Sequence, residues 1–450
     1  MLESLKTPKN RPFRTHGGAP VPHRKNTMES PTVFLPCPSQ VILPMQQHVG
    51  APCTPVVKVG DTVTVGQLIA DSDKFVSAPI HATVSGTVSK LTKVALPSGQ
   101  KVDAIVIDSD GKMTPCPDLH PPKADTREEF LAAVRASGLV GLGGAGFPAH
   151  VKLNVAPDKH IDTLIINGAE CEPYITTDYR EAMENSWDIF AGVYAIKDLL
   201  GVERVIIVIE SNKPQAIAEL TRIAENETHD ANDQVKVLSL PSHYPQGAEK
   251  VLVQACTGRR IGKGKLPADV GCVVMNITSV SFLARYLKTG MPLVTKRLTV
   301  DGSAIAEPKN IIAPIGTPMK ELIAFCGGYR TTPKKILMGG PMMGFALTDD
   351  SVPLMKQNNA LLAFDEKDAT LPESTACIRC GRCVAACPMH LMPTLMEQNV
   401  KAKNTDALES LSLMSCMECG SCAFVCPAKR QLVQAFRTGK ALLRAASPKK

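Results

Sequence analysis

The chain has 450 residues, 44% of them hydrophobic and 21% charged, which excludes a disordered chain, a collagen and a membrane bundle. No apolar run reaches the roughly 18 residues of a spanning helix, and no apolar core with a cleavage site opens the chain, so a cytoplasmic location is expected. Of the formal charge of +7, residues 1–30 carry +4 and residues 428–450 carry +7, which leaves the body at −4. Such basic ends are expected as solvated tails or as docking onto an anionic membrane surface or acidic partner. Nucleic acid is disfavoured, because 19 aromatic residues offer little base stacking and no basic–aromatic motif is present.

In chain order, Arg14–Lys25 (RTHGGAPVPHRK) is Pro/Gly-rich without periodicity and predicts an extended basic arm over 1–30. Residues 31–120 show short Val/Ile/Thr runs broken by Gly60-Asp61, Gly66-Gln67 and Ser85-Gly86, which predicts an all-β module. It resembles the barrel-sandwich hybrid of lipoyl and biotinyl carriers. Lys74 lacks the hairpin context of a lipoyl-lysine, and His81 reads as a packed histidine.

An α/β domain is expected over 121–290. Thr126-x-x-Glu129 predicts a capping box on a helix ending near Ala136. Then comes Gly141-Leu-Gly143-Gly144-Ala-Gly146-Phe147-Pro148, a loop of exposed backbone N–H groups suited to a phosphate or a flat ring. It follows a helix, so it is not an ordinary dinucleotide fingerprint, which follows a strand. Asp162–Asn167 reads as a buried strand delivering Asn167, Glu170 and Glu172 at its carboxyl end, where α/β proteins bind ligands. Next are a helix over Glu181–Leu200, a strand over Val205–Glu210, a helix over Pro214–Glu225, a strand over Val235–Leu240, a helix after Gly247 and a strand ending at Asn276. This alternation predicts a parallel sheet with helices on both faces. Strands at Leu293–Val300 and Ile336–Met338 belong to a further β domain over 291–360.

Eight of the fifteen cysteines fall into two runs, Cys377-x2-Cys380-x2-Cys383-x3-Cys387-Pro388 and Cys416-x2-Cys419-x2-Cys422-x3-Cys426-Pro427. This is the spacing of bacterial two-cluster ferredoxins. Three thiolates within seven residues wrap one compact object, with Gly381 and Gly420 letting the backbone curl. The fourth cysteine, carried off by its proline, ligates the other cluster. The expected sets are Cys377/Cys380/Cys383/Cys426 and Cys416/Cys419/Cys422/Cys387, each holding a [4Fe–4S] cluster rather than zinc, which takes separated pairs. Leu391, Leu395, Val400, Leu408, Leu411 and Met414 predict a mainly helical lobe over 361–450. The other seven cysteines are scattered singly, as buried small hydrophobes are.

The segments GLGGAGFPAHVKL (141–153), INGAECEPYITTDYR (166–180), YPQGAEK (244–250) and PADVGCVVMNITS (267–279), with the doubled cysteine motif, resemble the RnfC subunit of the Rnf electron transport complex. They also resemble the NADH-binding flavoprotein subunit of complex I. The resemblance implies a multidomain α/β protein: a barrel-sandwich hybrid, a domain binding FMN and NAD(H), a β-grasp domain of the soluble ligand-binding type, and a helical two-cluster ferredoxin domain. It places Gly141, Gly143, Gly144 and Gly146 along the flavin, Lys152 at the FMN phosphate side, Asn167 at the isoalloxazine ring, Asn276 at the phosphate, and Glu170 with Phe147 facing the nicotinamide nucleotide. It departs from complex I at Ala169, where an aspartate is expected, and at Gly247-Ala-Glu249-Lys250. No catalytic residue beyond FMN is implied.

The implied function is NADH/NAD-interacting subunit of a membrane-bound ferredoxin:NAD oxidoreductase, peripheral on the cytoplasmic face of the bacterial inner membrane. Its implied partners are the other Rnf subunits, including the iron–sulfur RnfB subunit, with ions moved by those partners. A related cobalamin reductase of propanediol-utilisation microcompartments is the alternative; a barrel module ahead of the glycine loop weighs against it. A third reading is an electron-carrying adaptor without nucleotide binding.

Overall fold

The computed structural model describes residues 11–97, 99–227 and 235–446. Residues 11–26 run as an extended arm with no strand or helix of their own. The next module is all-β: an antiparallel sheet of Gln40–Pro44, Lys101–Ser109, Gly86–Ala95 and Thr62–Val63 faces a smaller one of Thr54–Pro55, Leu68–Asp71 and Ile80–His81. Val41, Leu43, Val88, Ile105 and Ile107 are fully buried. Their alternation along the strands puts one face of the large sheet on the core. His81 is packed there, and burial pushes its pKa down to about 3. The module is not self-contained. Val33–Phe34 leaves it to pair with Ile311 and Ile312 as the edge strand of a distant sheet.

The α/β layer holds four parallel strands in the order Val235–Leu240, Arg204–Glu210, Thr163–Gly168, Cys272–Asn276. The chain lays down the first three outward from Thr163–Gly168, then returns to its other side. The sheet order therefore reverses between Thr163–Gly168 and Cys272–Asn276, and a crevice opens at their carboxyl ends. Thr126 forms the expected capping box with Glu129 on the helix Arg127–Ala136. The single helix expected over Glu181–Leu200 is two, Thr177–Glu184 and Ser186–Leu200, broken at Asn185. At Asn185 the backbone leaves helical geometry (φ −134°, ψ 35°), and Glu181 and Glu184 on the first helix both pair with the buried Arg297.

A six-stranded mixed sheet follows, ordered Val33–Phe34, Lys309–Pro314, Thr295–Asp301, Ala360–Phe364, Lys335–Met338, Phe345–Leu347. Ala360–Phe364 sits in its middle, pairing with Thr295–Asp301 and Lys335–Met338. Its five consecutive buried residues mark a strand covered on both faces, so this domain extends through Phe364 rather than ending at 360.

The C-terminal lobe packs Pro393–Lys401, Thr405–Ser410 and Leu432–Ala446 around Met396, Val400, Leu408, Leu413, Leu432 and Phe436. Burying a side chain such as Phe436 stabilises by about 1.5–3 kcal/mol. Gly439 lets two segments approach closely, since a Cβ there would meet Val400 Cγ2 at 2.5 Å and Leu413 Cδ2 at 2.6 Å. The basic C-terminus is therefore not a free tail. Leu432–Ala446 is a helix packed through Leu432, Phe436, Gly439 and Lys440, and Arg430 pairs with Glu397 while Arg437 and Lys440 pair with Glu418. Residues 447–450 lie outside the described residues. Among the described residues, no helix is long and apolar enough to cross a membrane.

Candidate functional site

The crevice at the strand-order reversal collects the predicted polar residues. Asn167 and Asn276 are directly paired in register across the two central strands. Asn276 caps the helix Ile277–Thr289 by accepting from Ser279 N, and its Nδ2 donates to Asp178 Oδ2 at 2.9 Å. Thr278 donates to the other Asp178 oxygen at 2.7 Å. Burial beside Glu170 pushes the Asp178 carboxyl up. Asn167 is spent on the neighbouring turn: its Nδ2 donates to Gly247 O at 2.9 Å and its Oδ1 accepts from Ala169 N at 3.1 Å.

The glycine loop closes on itself through Gly141 N to Phe147 O at 2.8 Å and Gly146 N to Gly141 O at 3.1 Å. Leu142 fixes it to the helix Ile277–Thr289 and the strand Thr295–Asp301, donating to Ser279 Oγ at 3.0 Å and accepting from the buried Lys296 ammonium at 2.9 Å. Gly143, Gly144 and Ala145 are exposed, and their N–H groups have no acceptor among the described residues. Gly144 takes φ +111°, and a Cβ on Gly143 would lie 2.9 Å from Asn276 Nδ2, so side chains would strain the loop and fill its cradle.

Glu170 is 7% exposed; its Oε1 accepts from Thr177 Oγ1 and Asp178 N, and its Oε2 is buried without a partner. Glu172 accepts from Met342 N at 3.1 Å, its other oxygen is unpartnered, and burial pushes its pKa up to about 7. Gly340 is required beside it, because a Cβ would stand 2.2 Å from Glu172 Oε2. Lys152 donates to Glu249 at 2.7 Å and Val274 O at 3.0 Å, so the lysine expected at a phosphate is already held by a carboxylate. Phe147 is half-buried at the loop's end.

Several contributors had no local signal. Lys25, in the arm expected to be extended, encloses its ammonium against the acidic turn, donating to Glu170 O at 2.8 Å, Glu172 O at 2.8 Å and Ile175 O at 2.5 Å. Burial, helped by Lys213, lowers its pKa to about 8. Gln357 packs on Gly146 and Asn359 lies beside Gly144, and Gln357 Oε1 is buried without a partner. Their segment is pinned by Lys356, whose buried ammonium donates to Pro79 O at 2.6 Å and Gly138 O at 2.7 Å.

The eight cysteines separate into two small cavities. One is lined by Cys377, Cys380, Cys383 and Cys426, the other by Cys387, Cys416, Cys419 and Cys422. The two runs repeat their geometry: Arg379 and Glu418 take φ +56° and +59°, Gly381 and Gly420 take φ +75° and +82°, and Arg379 N and Glu418 N each approach the Sγ two residues back at 3.4 Å. Cys419 packs in a buried group with Tyr244, Ala19 and Val21, against which Cys171 of the acidic turn rests. Tyr244 Oη donates to Cys419 O at 2.7 Å. By contrast Cys377 and Cys380 are exposed, as are the nearby Leu371 at 67% and Ile378 at 68%.

These features fit the groups the resemblance implies. The crevice offers free backbone donors, a cradle that a Cβ would fill, and orphaned buried atoms on Glu170, Glu172, Gln246 and Gln357, as a flavin needs. Each cysteine cavity has the four thiols of a [4Fe–4S] cluster.

Comparison with known proteins covers nearly the whole chain. The RnfC barrel sandwich hybrid domain matches residues 13–112, the Nuo51 FMN-binding domain 134–285, the SLBB domain 297–346 and a 4Fe-4S dicluster domain 376–429. The chain is 45% identical to the C component of the proton-translocating ferredoxin:NAD(+) oxidoreductase complex of Clostridium ljungdahlii, over 96% of this chain and 94% of that one. It is 42% identical to the C component of the Na(+)-translocating ferredoxin:NAD(+) oxidoreductase complex of Acetobacterium woodii, over 94% and 96%. It is 41% identical to the C component of the ion-translocating oxidoreductase complex of Rhodobacter capsulatus, over 96% and 83%. An oxidoreductase with an FMN domain and a two-cluster iron–sulfur domain, the chain belongs to the RnfC family of Rnf-complex subunits.

Proposed function

We propose that this chain is the NAD(H)-reacting subunit of an ion-translocating ferredoxin:NAD oxidoreductase, passing electrons between NAD(H), FMN and two [4Fe–4S] clusters. FMN, when bound, supplies the conversion between a two-electron hydride and the single electrons that clusters carry. Gly141, Gly143, Gly144 and Gly146 offer the ring and ribityl chain a close backbone, Asn276 and the loop N–H groups face the phosphate, and Asn167 holds the Gly247 turn that closes the opposite wall. Lys152 neutralises Glu249, leaving that wall without net negative charge. Glu170 and Phe147 face the nicotinamide nucleotide, joined by Gln357 and Asn359. Glu172 is poised near neutral pH to hold a proton at its free oxygen.

The observation that carries the reading is the continuity from this crevice to one set of cysteines. The turn bearing Glu170, Cys171 and Glu172 rests on the group holding Cys419, and Tyr244 bonds to the Cys419 carbonyl. The set Cys387/Cys416/Cys419/Cys422 is therefore the inner ligand set, and Cys377/Cys380/Cys383/Cys426 the outer one. The outer set opens on a face with exposed Arg379, Arg382 and Lys429, suited to an acidic redox partner such as the iron–sulfur RnfB subunit. Ion movement belongs to membrane partners, with this chain peripheral on the cytoplasmic face.

The test is anaerobic reconstitution followed by NADH addition. Retained FMN and bleaching of the visible absorbance are expected. A folded, cluster-loaded sample that keeps no FMN and does not bleach contradicts the reading. The barrel module, matched as RnfC-type, disfavours the cobalamin reductase alternative.

A further inference from the structure

A cleft of about 490 Å³ runs along the seam between the α/β layer and the cluster lobe. It shares no lining residue with the glycine loop, Asn167, Glu170 or Asn276. One wall is the helix Glu249–Thr257 and the loop after it; the other is the chain just beyond the inner-set ligand Cys387. That volume falls in the range of small-molecule sites.

The lining is one-sided in charge. Lys250, Arg260 and Lys263 face it from the α/β side, and no Asp or Glu lines it. Arg260 and Lys263 have no ion pair among the described residues, whereas Lys250 donates to Gly262 O at 3.2 Å and so ties the loop back onto the helix. Across the seam His16 of the arm and His390 stack with ring centroids 4.1 Å apart and planes 19° from parallel. Ser410, Ser412 and Ser415 add hydroxyls, and Val251, Ile261, Leu391 and Leu411 add apolar wall. Unpaired guanidinium and ammonium groups without a carboxylate attract a multivalent anion. Hydroxyls, stacked rings and an aliphatic wall suit a sugar and a planar base rather than phosphate alone.

We propose that this seam binds a nucleoside diphosphate. The moiety has two sources: a free nucleotide, or the ADP half of the dinucleotide if the proposed NAD(H) reaction holds. Because the cleft borders the chain leaving Cys387, occupancy adds negative charge beside the inner ligand set.

The test is equilibrium binding of ADP to the anaerobic holoprotein, which needs no turnover and stays readable even if NADH oxidation fails. Saturable ADP binding is expected, tighter than that of pyrophosphate. The Arg260→Gln/Lys263→Gln double variant alters two exposed side chains, so FMN content and cluster absorbance should stay unchanged. ADP affinity should fall at least tenfold, while Lys320→Gln, far from the seam, leaves it intact. Displacement of ADP by NADH, with a raised KM and unchanged kcat in the double variant, assigns the site to the dinucleotide. Simultaneous binding of ADP and NADH assigns it to a free nucleotide. No saturable ADP binding, equal affinity in the double variant, or pyrophosphate binding as tightly as ADP overturns the proposal.

Discussion

The two cysteine sets share spacing and backbone geometry yet sit in opposite surroundings. The inner set lies under the arm, with Cys419 and Cys422 buried and Tyr244 fastened to its loop. The outer set ends in exposed cysteines on a chain without regular structure from 370 to 381. On the proposed reading, identical local motifs acquire different tasks from what covers them. Burial and amide donors tune a relay, whereas exposure permits exchange with another protein.

The strongest way to break this contrast is to remove one ligand from each set. Cys419→Ser should abolish NADH-dependent reduction of an added ferredoxin-type acceptor and destabilise the lobe. Cys380→Ser should abolish transfer to the acceptor yet leave flavin bleaching and the inner cluster's reduction intact. Stopped-flow absorbance with low-temperature EPR reads both. Equal phenotypes would remove the distinction.

Next in size is the arm's hold on the inner side. Lys25→Met leaves three enclosed carbonyls without their donor, and should cost about 4 kcal/mol and lower FMN retention. Lys25→Arg, too wide for that geometry, should restore only part. Denaturant melts and flavin stoichiometry check this.

Smaller is a pH effect at Glu172. Its folded pKa lies above the unfolded carboxylate value, so the folded state prefers the protonated form. The associated stability is complete below about pH 4.5 and is lost as pH rises through about 7. Glu172→Gln should therefore gain on the parent as pH goes from 5 to 8, by at most about 3 kcal/mol. A gain independent of pH would show that the carboxyl does not titrate there.

Smallest is the outer face. Arg379→Gln/Arg382→Gln should weaken association with an acidic iron–sulfur partner by about 1 kcal/mol, and the difference should fade with added salt. Salt titration of binding measures it.

What was readable in sequence was what is written within a few residues. The Cys-x2-Cys-x2-Cys-x3-Cys-Pro runs, the Thr126/Glu129 box and the strand ending in Asn276 each need only their own neighbours. Lys25 clamps a turn 145 residues away, and an arm of Pro, Gly and basic residues gives no hint of it. Likewise Gln357 and Asn359 reach the glycine loop from a segment far along the chain, where Lys356 is anchored to Pro79 and Gly138. Basic residues at the C-terminus read as a solvated tail or a docking end because charge counts are blind to Glu397 and Glu418, which pair with them in the lobe. The sequence around Asn185 likewise gives no sign that Glu181 and Glu184 pair with Arg297 on another sheet.

The most direct measurement is a structure of the anaerobic holoprotein with iron located by anomalous scattering. Two iron clusters are expected in the crossed cysteine sets, with the one held by Cys387, Cys416, Cys419 and Cys422 nearer the flavin ring. A flavin lying closer to the cluster of Cys377, Cys380, Cys383 and Cys426 would contradict the division into inner and outer sets.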